Sequence, residues 1–138
     1  RIVEDLYPDT GPLGGVYTGL SSVESGHAVA TACDMPFLKP GVISELLRLV
    51  RLHDVVVPVS DGLPQPLCAA YHRSCVPVME QGLTREPAGI VEVLPALHVD
   101  AIEGEELARL GFSERLFRNL NTPGDWETAQ RELELTRK

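Results

Sequence analysis

The sequence predicts an α/β domain built on a mostly parallel sheet with helices on both faces. Short apolar runs alternate with segments of helical period, the pattern of successive βα units. The run Val55-Val56-Val57-Pro58-Val59 has no polar face and reads as a strand buried on both sides. Behind Pro40, whose fixed φ suits a first helical turn, Val42, Ile43, Leu46, Leu47 and Val50 recur at helical spacing.

A chain of 138 residues fits one domain, 1–138. A domain of that size buries roughly two-thirds of the surface its unfolded chain exposes. Twelve Gly and eleven Pro suit a loop-rich α/β domain better than a helical bundle. No apolar run approaches a membrane span and no basic-then-apolar leader is visible, so a cytoplasmic protein without a membrane partner is expected. The net charge of −8 argues against electrostatic nucleic-acid binding, which needs a basic stripe. Anionic small molecules remain compatible with it, because backbone amides, a metal ion and a few local cations suffice to hold them. Cys33, Cys68 and Cys75 form no CxxC pair and are odd in number, so they are expected to be reduced and mostly packed. His27, His53, His72 and His98 are scattered singly, which disfavours a zinc site.

Ile2-Val3-Glu4-Asp5 reads as the end of a strand whose beginning lies upstream of Arg1. A turn-rich passage then runs to Gly15, a weak helix is expected over Val16 to Val23, and a strand over His27 to Cys33. The amphipathic helix behind Pro40 and the strand Asp54 to Val59 follow. Ser60 to Pro66 is turn chemistry, Leu67 to Tyr71 a short strand, and Cys75 to Gly82 a helix, with Pro87 and Gly89 interrupting what comes next. Leu97 to Ile102 reads as a strand, Glu103 to Leu110 as a short helix, and Arg115 to Leu120 as a strand. Thr122 as N-cap, Pro123 at the first position and Asp125 three residues beyond the cap open a last helix, with Trp126, Ala129, Gln130 and Leu133 on one face.

Four stretches bear on chemistry. In Ala32-Cys33-Asp34-Met35-Pro36-Phe37-Leu38 an apolar run ends in Asp and is stopped by Pro, which sets a carboxylate at the carboxyl edge of a strand. That edge is where ligands sit in open α/β sheets. A carboxylate there can hold Mg²⁺ by one or two oxygens while phosphates and water complete the octahedron; Asp34 can equally cap a turn or the following helix. Asp5 occupies the same kind of position at the end of the first strand. Gly11-Pro12-Leu13-Gly14-Gly15 precedes a helix, where glycines allow a nucleotide to approach the backbone closely, or it is merely a turn. In Arg118-Asn119-Leu120-Asn121-Thr122-Pro123, strand alternation would put Asn119 and Asn121 on one side to read a heterocycle, unless Asn121 serves the turn. Gln65-Pro66-Leu67 fixes a polar amide just before a strand.

Glu4-Asp5, the glycine string, Ala32 to Leu38, Gln65-Pro66-Leu67 and Asn119 to Pro123 occur in an order and spacing that resemble the molybdenum cofactor guanylyltransferase family, from about Ile2 to Ala129. The resemblance implies a Rossmann-like nucleotidyltransferase fold. It also implies transfer of GMP from GTP to molybdenum-bound molybdopterin with release of pyrophosphate. In that light Asp34 would be the catalytic residue binding Mg²⁺ and the GTP phosphates. Asp5, Gly11, Gly14 and Gly15 would contact the nucleotide, and Asn119 and Asn121 would bind the pterin. Delivery factors for molybdoenzymes are the implied protein partners.

The family's opening L-A-G-G-x-S-x-R-M-G loop and its following lysine are absent from the sequence, and Arg48, Arg51 and Arg85 do not replace them. The chain therefore reads as the C-terminal two-thirds of such an enzyme, N-terminally truncated. Little or no turnover is expected from it alone, with a sheet edge and a core face left uncovered. Competing readings are a cytidylyltransferase on the same pterin, a sugar-nucleotide transferase of the same fold, and a non-catalytic carrier of molybdenum cofactor.

Overall fold

The computed structural model describes residues 2–85 and 88–136, with Glu114 and Thr136 as backbone only. Its elements are α1 (Gly11–Ser22), β1 (His27–Thr31), α2 (Pro40–Leu49), β2 (Val55–Ser60), β3 (Leu63–Pro64), β4 (Cys68–His72), α3 (Val76–Thr84), β5 (Val99–Ile102), α4 (Gly104–Arg109) and α5 (Pro123–Thr136).

The sheet runs in the order β1-β4-β2-β5, with the short β3 closing a hairpin on the far end of β2. β1, β2 and β5 all run one way, as expected of a mostly parallel sheet. β4 lies between β1 and β2 and runs the other way, so only the β2–β5 ladder is parallel. The hairpin turns on Asp61 and Gly62, both at positive φ (52° and 73°), the geometry that matches strand twist in a two-residue turn.

Alternation along the strands divides the core in two. Val55 and Val57 of β2 and Ala69 and Tyr71 of β4 face α1 and α3, where they pack with Leu13, Leu20 and Met79. Val56, Cys68 and Ala70 face the other way onto Val42 and Leu46 of α2, with Ile102, Leu107, Phe112 and Leu116. Both faces of the sheet are thus covered by helices. β1 pairs with β4 on one side only and ends the sheet. Cys68 and Cys75 are buried, and desolvation pushes their thiols up to about 11 and about 12.

Several expectations are corrected. Residues 2–6 are exposed and form no strand. The first helix begins at Gly11, because Pro12 fits the first turn and Gly11 takes φ +64° on the way in. Ile90 to Leu94, to which the sequence assigns no element, is turns leading into a 3₁₀ turn over Leu94–Ala96, and the break expected at Pro87 lies outside the described residues. Arg115 to Leu120 is not a strand: Glu114–Phe117 is a 3₁₀ turn that buries Leu116, followed by extended chain. Cys33 is exposed, whereas packing was expected. On α5 the apolar face is narrower than expected, with Ala129 buried and Trp126 54% exposed.

At the amino ends of β2 and β5, the Asp54 carboxylate accepts the Ser74 hydroxyl and, at 2.9 Å, the His98 N–H. The Ser74 bond first and the His98 N–H second hold its pKa below the ordinary aspartate value. A depressed carboxylate contributes stability above its unfolded pKa and loses it as the pH falls through the folded value. Asp54→Asn is therefore expected to lower the melting temperature at pH 7, with the gap to the parent protein closing as the pH falls through the lowered folded value of the carboxyl; thermal melts from neutral to acid pH check it.

Candidate functional site

Three loops meet at the carboxyl end of β1. The first leaves β1 through Ala32 to Pro36, where Pro36 and Pro40 prevent the strand from continuing. Asp34 sits in this loop. Its backbone C=O accepts the Leu120 N–H at 3.1 Å, which ties the 118–122 segment to the Asp34 turn. Its Oδ1 is buried and has no hydrogen-bond partner among the described residues. An orphaned carboxylate oxygen is costly unless something else satisfies it, so it marks a place where a cation fits.

The second loop is Gln65-Pro66-Leu67, between the β2–β3 hairpin and β4. It is held from beneath: the buried Tyr71 hydroxyl donates to the Pro66 carbonyl at 2.8 Å, and the Gln65 N–H donates to the Pro58 carbonyl at 2.8 Å. Burial raises the Tyr71 pKa, so the phenol keeps the proton it donates. Tyr71→Phe leaves the Pro66 carbonyl without that donor and is expected to cost about 1 kcal/mol in urea unfolding.

The third loop is 118–122. Ala32, Met35, Gln65, Leu67, Cys68 and Asn119 are among the residues that line a cavity of about 200 Å³ between the three loops. Asn119 faces this cavity and Asn121 does not line it. Instead the Asn121 and Thr122 N–H groups donate to Asp125 Oδ2 at 3.1 and 2.8 Å, while the Asp125 N–H donates to Thr122 Oγ1 at 3.2 Å. This is the reciprocal capping box expected at the start of α5. The Thr122 hydroxyl and these N–H groups hold the Asp125 carboxyl below its usual range.

The glycine string lies elsewhere than expected. It forms the opening turns of α1, and a groove of about 410 Å³ between α1 and β1 runs past Gly15, Ala30 and Thr31 to Leu67. Leu67 also lines the smaller cavity, so groove and cavity adjoin at that side chain. A Cβ on Gly15 would meet no atom within 4 Å, so this glycine is open to a ligand. Gly14 is buried: a Cβ there would meet Thr10 Oγ1 and stand 2.8 Å from the Tyr7 carbonyl. Its lack of a side chain serves helix-to-turn packing. Gly11 is exposed at the helix entry. Asp5 is also exposed, on the segment anchored by Leu6 N–H to Thr18 Oγ1 at 2.9 Å, beside the middle of α1 and not at a strand end.

A third concavity, about 450 Å³, opens at the carboxyl ends of β2 and β5 beside Asp61, Gly62, Glu103 and Gly104. Two carboxylates on its wall repel a polyanion, and among the described residues no orphaned polar atom lines it.

Residues 1–100 match the model of the MobA-like NTP transferase domain. The chain belongs to this family. A molybdenum cofactor guanylyltransferase from Desulfosudis oleivorans is 35% identical over 130 residues, covering 94% of this chain and 64% of that protein. A relative from Pelotomaculum thermopropionicum is 32% identical over 125 residues, 91% of this chain and 61% of its own length. Among solved structures, molybdopterin-guanine dinucleotide biosynthesis protein A from Archaeoglobus fulgidus superposes with a TM-score of 0.81 at 29% identity, over 96% of this chain and 67% of that one. The chain thus spans about two-thirds of the length of these MobA-like relatives. The likeness bears out the Rossmann-like nucleotidyltransferase fold expected from the sequence.

No group of three or more His, Cys, Asp or Glu side chains among the described residues can hold a metal by itself. A single carboxylate with one unsatisfied oxygen suits Mg²⁺, which keeps several waters and takes its remaining ligands from substrate phosphates. The donor set of this MobA-like chain therefore fits a metal brought in with a nucleotide.

One cluster at the site is not apparent from the sequence alone. Phe37, three residues past Asp34, is 6% exposed, and the guanidinium carbons of Arg115 and Arg118 stand 4.1 and 5.0 Å from its ring centroid. Glu132 of α5 binds both arginines, at 2.8 and 3.0 Å. The i,i+3 spacing of the arginines beside the Asn119 segment was the available signal.

Proposed function

We propose that this chain carries the acceptor and metal side of a nucleotidyltransferase that moves GMP from GTP onto the terminal phosphate of molybdenum-bound molybdopterin. The orphaned Oδ1 of Asp34, in the loop after β1 whose Ala32 and Met35 line a cavity together with Gln65 and Asn119, is the observation that carries the reading. The names of the relatives support the choice of substrates.

In this reading an oxygen of the acceptor phosphate forms a bond to the α-phosphorus of GTP. The bond from that phosphorus to the bridging oxygen breaks, and pyrophosphate leaves with the electron pair. A phosphate nucleophile is already ionised at neutral pH, so no general base is needed. The protein contributes positioning. Asp34 would hold Mg²⁺, which supplies neutralisation of the triphosphate charge when bound. Gln65 and Asn119 offer amide donors and acceptors to a heterocycle, and Gly15 leaves room beside α1 for a nucleotide. Asn121, committed at its backbone to the capping box, would contribute only through its side chain. Asp5 and Gly11 remain candidates for nucleotide contact from their exposed positions.

The test uses the protein at its natural length, molybdenum-charged molybdopterin, Mg²⁺ and α-labelled nucleotide, with GTP and CTP in competition. Label from GTP in a pterin dinucleotide, matched by pyrophosphate, is expected. Label from CTP would make the enzyme a cytidylyltransferase, and tight pterin binding with no label from either would make it a carrier. Little or no product is expected from the 138-residue chain alone, since among the described residues no cation lines the cavity.

A further inference from the structure

The 118–122 segment lies outside the sheet, so no strand ladder sets the position of Asn119. What holds it is one backbone bond to Asp34 on one side and α5 on the other. α5 is 14 residues long, yet among its described side chains Ala129 alone is buried. It adds little to the core. Its carboxylate Glu132 reaches back 14 positions to Arg118, the neighbour of Asn119, with Arg118 Nη1 to Glu132 Oε1 at 3.0 Å. The other oxygen takes Arg115 Nη2 at 2.8 Å. Each oxygen of one carboxylate thus fixes one guanidinium, and both guanidiniums lie over the ring of Phe37 in the Asp34 loop.

We infer that Glu132 is a positioning residue for the acceptor side of the cavity. It neutralises and orients Arg118 and Arg115 so that the Asn119 segment and the Phe37 end of the Asp34 loop hold one geometry. The inference rests on the proposed function for what the cavity binds. Half-exposed ion pairs contribute little to global stability. This pair of cations differs in sharing one bonded carboxylate: without Glu132, Arg118 keeps only the Coulombic attraction of Asp125, two like charges sit over one ring, and a guanidinium stacked on an aromatic face loses the hydrogen-bond partner that fixes its plane. The expected consequence is local displacement with the fold intact. Misplacement of about 1 Å at a binding group is enough to cost tenfold or more in a positioned reaction.

Glu132→Gln at natural length tests it, with Arg118→Lys as a second variant that keeps the charge and loses the fork. Amide exchange at Leu120, whose N–H is held by the Asp34 carbonyl, is expected to quicken in Glu132→Gln while the melting temperature is unchanged. The acceptor KM is expected to rise about tenfold with the nucleotide KM unchanged, and Arg118→Lys to fall between. Leu120 exchange at the parent rate in both variants overturns the inference, as does a loss of kcat that merely follows a drop in melting temperature. Asn119→Ala separates the two layers. If it and Glu132→Gln both leave the acceptor KM unmoved while Leu120 exchange quickens, the positioning stands and the assignment of this cavity to the acceptor falls. If Asn119→Ala raises the acceptor KM and Glu132→Gln does not, the cavity assignment stands and the positioning inference falls.

Discussion

Asp34→Asn is expected to lower nucleotidyl transfer by about a thousandfold, the scale seen when a preorganised group facing transition-state charge is removed. The substitution keeps shape and the Asp34 carbonyl bond to Leu120 N–H, so the loop has no reason to move. What it removes is the negative charge on an oxygen that no described protein group satisfies. An amide in that place is a poor ligand for a hard divalent cation. The metal and the nucleotide therefore lose affinity together, while pterin binding on the Asn119 side stays near its original strength. Were Asp34 a structural cap, the pattern would reverse: the carboxylate would have backbone N–H partners, and Asn would unsettle the fold with little specific effect on metal. Isothermal titration with Mn²⁺ and nucleotide, alongside thermal melts, distinguishes the two.

Gly14→Ala is expected to destabilise the fold by roughly 2 kcal/mol, the middle of the range for a side chain forced into a filled space. The obstructing atoms are Thr10 Oγ1 and, at 2.8 Å, the Tyr7 carbonyl, and the second is backbone that yields only by moving the turn. That turn is itself fixed, since the Thr10 hydroxyl donates to the same Tyr7 carbonyl at 2.6 Å. Gly15→Ala meets nothing and should leave stability at or above the parent value, because Ala favours a helix by up to about 1 kcal/mol over Gly. If Gly15 also borders the nucleotide, Gly15→Ala raises the nucleotide KM without changing the melt. Paired urea titrations and kinetics on the two variants thus divide a string that reads as one motif into a packing residue and a ligand-facing one.

The contrast shows what local pattern carries and what it does not. The run Val55 to Pro58, the Pro40 helix and the Thr122–Asp125 box are legible because a few consecutive residues fix each of them: burial on both faces, helical period, a reciprocal cap. The place of Asp34 just after a strand is legible because Pro36 follows the apolar run so closely, although β1 ends already at Thr31 and Asp34 lies in the loop beyond it. The direction of β4 is not, since Cys68 to His72 carries no mark of which neighbours it will pair with. Gly14 needs Tyr7 and Thr10 for its explanation, and the opening of α1 at Gly11 needed Pro12 to be seen as a first-turn residue. Arg115 to Leu120 reads as a strand only by its length, since Leu116 and Phe117 stand side by side and so do Arg118 and Asn119; the structure folds it into a 3₁₀ turn that buries Leu116 and brings both arginines to Glu132. The Arg118–Glu132 bond joins residues 14 positions apart through a helix whose own sequence marks its cap and one face but not the partner of Glu132.

Metal and nucleotide are expected to meet where the loops after β1, before β4 and before α5 converge. Paramagnetic broadening of the protein's amide spectrum by Mn²⁺ with GTP tests this most directly. The expected result is broadening centred on residues 32–35, 65–68 and 119–120, lost in Asp34→Asn. Broadening centred instead on Asp61, Gly62 and Gly104, and unchanged by Asp34→Asn, would contradict it.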